Sequence, residues 1–238
     1  MKPILTIKEN LAAVRERIAA AARRAGRSPD EVALMAVTKT FGPDAIRAAH
    51  DAGQRLFGEN RVQEFAEKAA TVRDLDGAEF HMIGHLQTNK AAKAVEIFST
   101  VDSVDSLRLA DKLNAAAAHL RKRLPVLIEL NLGSEESKSG LNPVSTGFGE
   151  LLEAAARLDH LEFRGLMTIP PFTDDPRSAR PYFRRLREIR DNIARRNLPG
   201  VRMDVLSMGM SHDFEVAVEE GSTCVRLGTA IFGGRAKA

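Results

Sequence analysis

Residues 33–52 read ALMAVTKTFGPDAIRAAHDA. The apolar run at residues 33–37 is typical of a buried strand, and it ends just before Lys39. Pro43 then marks the start of a helix, because proline fits the first helical turn. An amphipathic stretch follows. One strand followed by one helix is the unit from which parallel sheets are built.

The same unit recurs along the whole chain, after an N-terminal helix predicted at residues 7–25. Eight strands in strict alternation with helices favour a single closed (β/α)8 barrel of the TIM type over an open doubly wound sheet, which is the alternative. We expect one domain spanning residues 1–238. The predicted strands are residues 33–38, 55–57, 80–83, 97–101, 126–131, 162–167, 203–206 and 224–227. The other predicted helices are residues 43–52, 61–71, 88–94, 106–120, 147–158, 176–196 and 211–219.

The composition is that of an ordinary globular protein. Of the 238 residues 44% are hydrophobic and 28% charged, and the net charge is only +3. The densest basic runs, at residues 121–123 and 184–187, lie in or beside predicted helices without interleaved aromatic residues. Nucleic-acid binding is therefore not expected.

A single cysteine, Cys224, excludes an internal disulfide and is best interpreted as a small buried apolar residue. The N-terminus lacks the apolar run of a secretory signal, and no segment is apolar for long enough to span a membrane. We therefore expect a cytoplasmic protein that does not associate with membranes, and we expect a monomer.

Lys39 is the first candidate for chemistry. In such barrels the active face is formed by the C-terminal ends of the strands, and Lys39 follows the first strand. Partial burial would lower the pKa of the amine, and the neutral amine attacks carbonyl groups to form Schiff bases. Taken alone, however, the residue favours the simpler interpretation, a lysine that reaches solvent at the barrel rim.

Small residues after the last two strands change that balance. Ser207-Met208-Gly209 and Gly228-Thr229 offer backbone N–H groups and hydroxyls where barrels commonly bind a phosphate. A phosphate site beside a nucleophilic lysine points to an aldehyde that carries a phosphate.

Arg226 lies within the last apolar strand and needs a partner if it points inward. A carboxylate from another strand is one possibility. A ring nitrogen of the ligand is the other.

Seven motifs in this sequence resemble those of the pyridoxal phosphate homeostasis proteins, and they span nearly the whole chain. They are residues 36–39 (AVTK), 57–64 (FGENRVQE), 81–90 (HMIGHLQTNK), 137–140 (SKSG), 165–168 (GLMT), 207–211 (SMGMS) and 225–233 (VRLGTAIFG).

The resemblance implies a barrel of the alanine racemase type that holds pyridoxal 5′-phosphate (PLP) as a Schiff base on Lys39. It also implies that Arg226 faces the pyridine nitrogen. Six further residues complete the implied site. Ser207, Gly228 and Thr229 would hold the phosphate, Met208 and Gly209 would shape its turn, and Asn60 would lie near the cofactor.

Two functions remain open. The resemblance implies a protein that buffers PLP and supplies it to apoenzymes without turnover, and the alternative is a PLP-dependent amino-acid racemase or lyase. Arg226 favours the first, because a permanent cation at the ring nitrogen weakens the ring as an electron sink. Racemases also use an opposing tyrosine, whereas Tyr182 falls in a predicted helix. After Gly234 we expect none of the β domain that completes racemase sites.

Three more residues are candidates for a functional role. His81 and His85 have a spacing that suggests a metal site, but Gly84 and the predicted strand argue against one helical face, so a structural or cofactor-side role is favoured. Lys138 lies in a loop rich in glycine, serine and asparagine, and we expect either a solvated lysine or a residue that accepts PLP from Lys39 during release.

Overall fold

The computed structural model describes residues 6–133, 135 and 139–234. The strands in this part of the chain are β1 (Ala33–Val37), β2 (Leu56–Glu59), β3 (Glu79–Met82), β4 (Thr100–Val104), β5 (Leu124–Leu130), β6 (Leu161–Thr168), β7 (Val201–Ser207) and β8 (Cys224–Leu227). The α-helices are α1 (Ile7–Arg24), α2 (Pro43–Asp51), α3 (Val62–Val72), α4 (Ala91–Ile97), α5 (Leu107–His119), α6 (Thr146–Ala154), α7 (Arg180–Arg196), α8 (Phe214–Glu219) and α9 (Thr229–Phe232). Short 3-10 turns lie at Pro29–Glu31, Thr88–Lys90, Ala155–Arg157 and Pro176–Ala179.

The eight strands of the described residues close into one parallel barrel in sequential order. Ala36 pairs with Phe57 of β2, and on its other side β1 pairs with β8, where Met35 lies opposite Arg226. The closed α/β barrel predicted from the alternation is confirmed. The alternative prediction, an open doubly wound sheet, is wrong.

Alternation along the strands separates a lumen from an outer core. Met35, Val37, Ile83 and Cys224 form a cluster of their own inside the barrel. A Cβ built on Gly58 would lie 2.7 Å from Met35 Sδ, so this glycine also faces the lumen. Residues of the opposite parity, such as Phe57, belong to the large core beneath the helices. The lumen of a barrel of this size is therefore filled by side chains.

The fourth strand was predicted too early. Residues 97–101 were assigned to it, but Ile97 ends α4 and the strand is Thr100–Val104. The boundary was wrong because Ile97 and Phe98 form an apolar pair at the end of α4. Phe98 is buried and stacks on Phe65 of α3 rather than entering the sheet. Asp102 consequently lies within β4 and not after it.

Two further findings concern the helices. The last helix, α9, was not predicted, since four residues are too few to show a helical period. No helix in the described ranges is long and apolar enough to cross a membrane.

A close approach between β6 and β7 requires glycine at position 165. A Cβ there would lie 1.9 Å from the carbonyl oxygen of Val205, where the register of the two strands shifts. We expect Gly165→Ala to lower the free energy of unfolding by about 1 to 3 kcal/mol, because the strands must separate. Chemical denaturation measures this.

Gly149 provides the matched control, since it lies in α6 and a Cβ there meets nothing within 4 Å. Gly149→Ala should be neutral or stabilising by up to about 1 kcal/mol. Equal effects of the two substitutions would contradict the steric account of Gly165.

Candidate functional site

Lys39 lies at the barrel mouth, the end formed by the C-terminal residues of the strands. It follows the inward-facing Val37 by two residues and is half-buried. The next residue, Thr40, has a φ of 68°, and its N–H donates to Glu64 Oε1 at 2.6 Å. Lys39 therefore lies in the turn that follows β1, at the predicted end of the strand.

A buried ion pair fixes the chain on either side of Lys39. Glu59 Oε1 accepts from the Thr38 hydroxyl at 2.6 Å and lies 2.8 Å from Lys68 Nζ. Lys68 also donates to the carbonyl oxygens of Thr38 and Phe41. Burial raises the pKa of Glu59, while Lys68 and Thr38 oppose that rise. Neither Glu59 nor Lys68 was predicted to support the site.

Arg226 points into the lumen and is 4% exposed. Its Nη1 donates to Ser207 Oγ at 2.7 Å and its Nη2 donates to the Thr168 carbonyl at 2.9 Å. Among the described residues no carboxylate lies within ion-pair distance, so the carboxylate partner considered for it is not found. Burial lowers the pKa of Arg226, and more distant anionic groups, including Asp102 and Glu129, oppose this.

The two turns predicted to bind phosphate lie side by side. Gly209 has a φ of 96°, and its carbonyl accepts from the Arg226 N–H at 3.0 Å. Ser211 Oγ, after β7, accepts from the Ala230 N–H, after β8, at 3.2 Å. Gly228 precedes Thr229, the first residue of α9, and its carbonyl accepts from the N–H groups of Ile231 and Phe232 at 2.9 Å. The geometry is compatible with a phosphate between the turns.

The remaining predicted residues occupy different depths. Ser207 is fully buried beside Arg226, and the Met208 side chain packs into the core, which leaves Met208 only backbone groups to offer a ligand. Asn60 is half-buried after β2, and its carbonyl would lie 2.3 Å from a Cβ on Gly84. Lys138 lies outside the described residues.

Glu129 of β5 is a buried carboxyl that the sequence analysis missed. It is 5% exposed, and its Oε2 has no hydrogen-bond partner among the described residues. Burial raises the pKa of Glu129 to about 7, helped by Asp105 and opposed by Arg226 and His85. A lone glutamate within an apolar strand was the only sequence signal. A buried carboxyl with a raised pKa therefore lies near the C-terminal end of β5.

His81 belongs to the other end of the barrel. Its Nδ1 lies 3.1 Å from Asp102 Oδ1, and both residues line a cavity of about 250 Å³ beside the first residues of the strands. His85 instead pairs with Asp105 near the mouth. Within the described ranges no cluster of His, Cys, Asp and Glu could hold a metal. Cys224 is buried as predicted, and burial raises the pKa of its thiol to about 12.

Comparison with known proteins agrees with this geometry. Residues 10–236 match the family model of the alanine racemase N-terminal domain. Alanine racemase from Streptomyces coelicolor shares the fold, with a TM-score of 0.68 at 23% identity, over 94% of this chain and 59% of that chain. The fold and the lysine at the barrel mouth define a barrel protein of the alanine racemase N-terminal class.

Closer relatives define the family. The pyridoxal phosphate homeostasis protein of Aquifex aeolicus is 45% identical, over 95% of this chain and 97% of that protein. The structure of PipY from Synechococcus elongatus with PLP bound has a TM-score of 0.84 at 37% identity, over 96% of this chain and 100% of that chain. This chain belongs to the pyridoxal phosphate homeostasis protein family.

The pair of His81 and Asp102 should make stability depend on pH. Burial lowers the pKa of His81, but Asp102 and Glu79 outweigh it and raise the pKa to about 9. A raised histidine pKa stabilises the fold below about pH 6.5, and this contribution is lost as the pH rises through 9. We expect His81→Gln to abolish about 2 to 3 kcal/mol of that pH dependence in denaturation curves.

The exposed His119 at the end of α5 is the control. His119→Gln should leave the pH dependence of unfolding as it is in the wild type. If the curve of His81→Gln ran parallel to that of the wild type between pH 6 and 9, the stabilising pair would be disproved.

Proposed function

We propose that this protein binds PLP at the barrel mouth, buffers it and supplies it to apo forms of PLP-dependent enzymes, without substantial turnover of amino acids. The names of its relatives support the homeostasis role, and bound PLP in PipY supports the ligand.

One observation carries the site assignment. Arg226 is a buried, permanently charged group whose partners are a hydroxyl and a carbonyl, both neutral. An isolated cation in a lumen is costly, and an acceptor on a ligand offsets that cost. A pyridine nitrogen accepts a hydrogen bond, and the phosphate of the same ligand adds negative charge. The donor set at the mouth therefore fits PLP.

Each predicted residue has a role in this proposal. Lys39 would hold the aldehyde carbon through its amine, and Arg226 would donate to the ring nitrogen. Ser207, Gly228 and Thr229 would bind the phosphate, with Met208 and Gly209 shaping the turn and Asn60 lining the mouth beside Lys39. When bound, PLP supplies an aldehyde that condenses with amines and a ring that withdraws electrons.

Two features of the chain disfavour the racemase or lyase alternative. Arg226 opposes protonation of the ring nitrogen, which reduces the electron-withdrawing power of the ring. The tyrosine expected to oppose Lys39 is not at the mouth, because Tyr182, the single tyrosine of the sequence, lies in α7 outside the barrel. Holding the cofactor and releasing it requires neither a protonated ring nitrogen nor an opposing tyrosine.

Transfer without turnover is the expected behaviour. Holo-protein mixed with an apo PLP enzyme should restore the activity of that enzyme, because a Schiff base can be passed to another amine or hydrolysed. Solvent deuterium should not enter the α-carbon of any common L- or D-amino acid at an enzymatic rate. Enzyme assays and mass spectrometry measure the two quantities.

Variants at two lysines complete the experiment. Lys39→Ala should lose covalent loading and transfer, whereas Lys112→Ala, at an exposed position in α5, should retain both. Racemisation or exchange at several turnovers per second, abolished by Lys39→Ala, would contradict the carrier and favour the enzyme.

A further inference from the structure

Glu129, near the C-terminal end of β5, has a buried oxygen, Oε2, that finds no hydrogen-bond partner in the part of the chain that the structure describes. The side chain shares the face of Leu127, which lines the lumen, whereas Ile128 faces the outer core. Gly140 lies close to this side chain, since a Cβ on Gly140 would lie 3.3 Å from Glu129 Cγ. A buried acceptor without a partner destabilises the protein, and a matching ligand group removes that cost. Oε2 is such an acceptor.

The barrel order places Glu129 across the mouth from Lys39. In a closed ring of eight sequential strands, β5 is four strands from β1 in either direction. Likewise β4 lies across from β8. Lys39 and Arg226 therefore lie on one side of the lumen, and Glu129 lies on the other.

The covalent structure of PLP identifies the group that Glu129 would meet. Besides its aldehyde, ring nitrogen and phosphate, PLP carries one further polar group, the hydroxyl at C3. The aldehyde at C4 stands between this hydroxyl and the phosphate arm at C5. With the phosphate at the turns after β7 and β8, the hydroxyl lies on the other side of the line from C4 to the ring nitrogen. In the ring of eight strands, β3 and β4 lie across from these turns and β5 is the next strand.

We propose that Glu129 contacts the 3-hydroxyl of bound PLP through Oε2, from the side of the barrel opposite Lys39. This assignment rests on the proposed function, because it requires PLP at the mouth. It adds to the site a residue that neither the motifs nor the lysine and arginine predicted.

The surroundings of Glu129 suit a shared proton. Asp105, after β4, is the anion facing it, while Arg226 of β8 and His85, after β3, are the cationic or potentially cationic groups. With a pKa near 7, the carboxyl is able to donate a proton to an ionised hydroxyl or accept one from a neutral hydroxyl. Either arrangement gives Oε2 the partner that it lacks.

The test combines changes in the protein with a change in the ligand. Dissociation constants are measured for PLP and for its 3-deoxy analogue, which lacks only the hydroxyl. The proteins are the wild type, Glu129→Leu, Glu129→Gln and the control Glu162→Gln, at a strand glutamate near the start of β6. Binding is followed by fluorescence, and folding by circular dichroism.

The quantity compared is the ratio of the dissociation constants of the analogue and of PLP. We expect the wild type and Glu162→Gln to show the same preference for PLP. In Glu129→Leu this ratio should fall roughly tenfold, because one charge-assisted hydrogen bond is lost. Glu129→Gln should retain most of the ratio, because an amide still donates and accepts. The ratio is insensitive to a general loss of stability, so a weakened variant still reports on the contact.

Three outcomes are distinguishable. If the wild type does not bind PLP, the proposed function itself fails. If the wild type binds PLP but Glu129→Leu weakens the binding of PLP and of the analogue equally, the contact is disproved and the carrier function stands. If Glu129→Gln abolishes deuterium exchange that the wild type catalyses, Glu129 is a base and the hydrogen-bonding role is overturned.

Discussion

A permanently charged guanidinium inside the strand barrel is the constraint on which the site depends. Arg226 is buried, and its hydrogen bonds go to Ser207 and to the Thr168 carbonyl rather than to a carboxylate. Removing such a charge from water costs several kcal/mol unless partners replace the solvent. The lumen supplies neutral acceptors and a few more distant anions, so a ligand with an acceptor nitrogen and a phosphate completes the set.

The lysine side of the mouth is built differently, with its charges already compensated. Glu59 and Lys68 form a buried ion pair outside the lumen, and Lys68 also binds the carbonyls of Thr38 and Phe41. The pair holds the backbone on either side of Lys39, and this lysine is half-buried in the turn that follows β1.

The fold could be predicted because each strand and helix has a clear period and the units repeat. Where an apolar residue belonged to a helix end, as with Phe98, the strand boundary moved, since local pattern does not show which neighbour a side chain packs against. Lys39, Arg226 and the small residues of the turns were found through strand ends and motifs. Glu129 was missed because its isolation and its facing groups arise from the closure of the barrel, which brings distant strands together.

The most direct measurement of the central claim is the location of the covalent bond. PLP is added to the purified protein, borohydride fixes the cofactor to the amine that holds it, and peptide mapping by mass spectrometry locates the label. The account predicts a label on Lys39, and none in Lys39→Ala, which should fold normally. A label on another lysine, or no covalent loading of the wild type, would contradict the assignment of the barrel mouth as the PLP site.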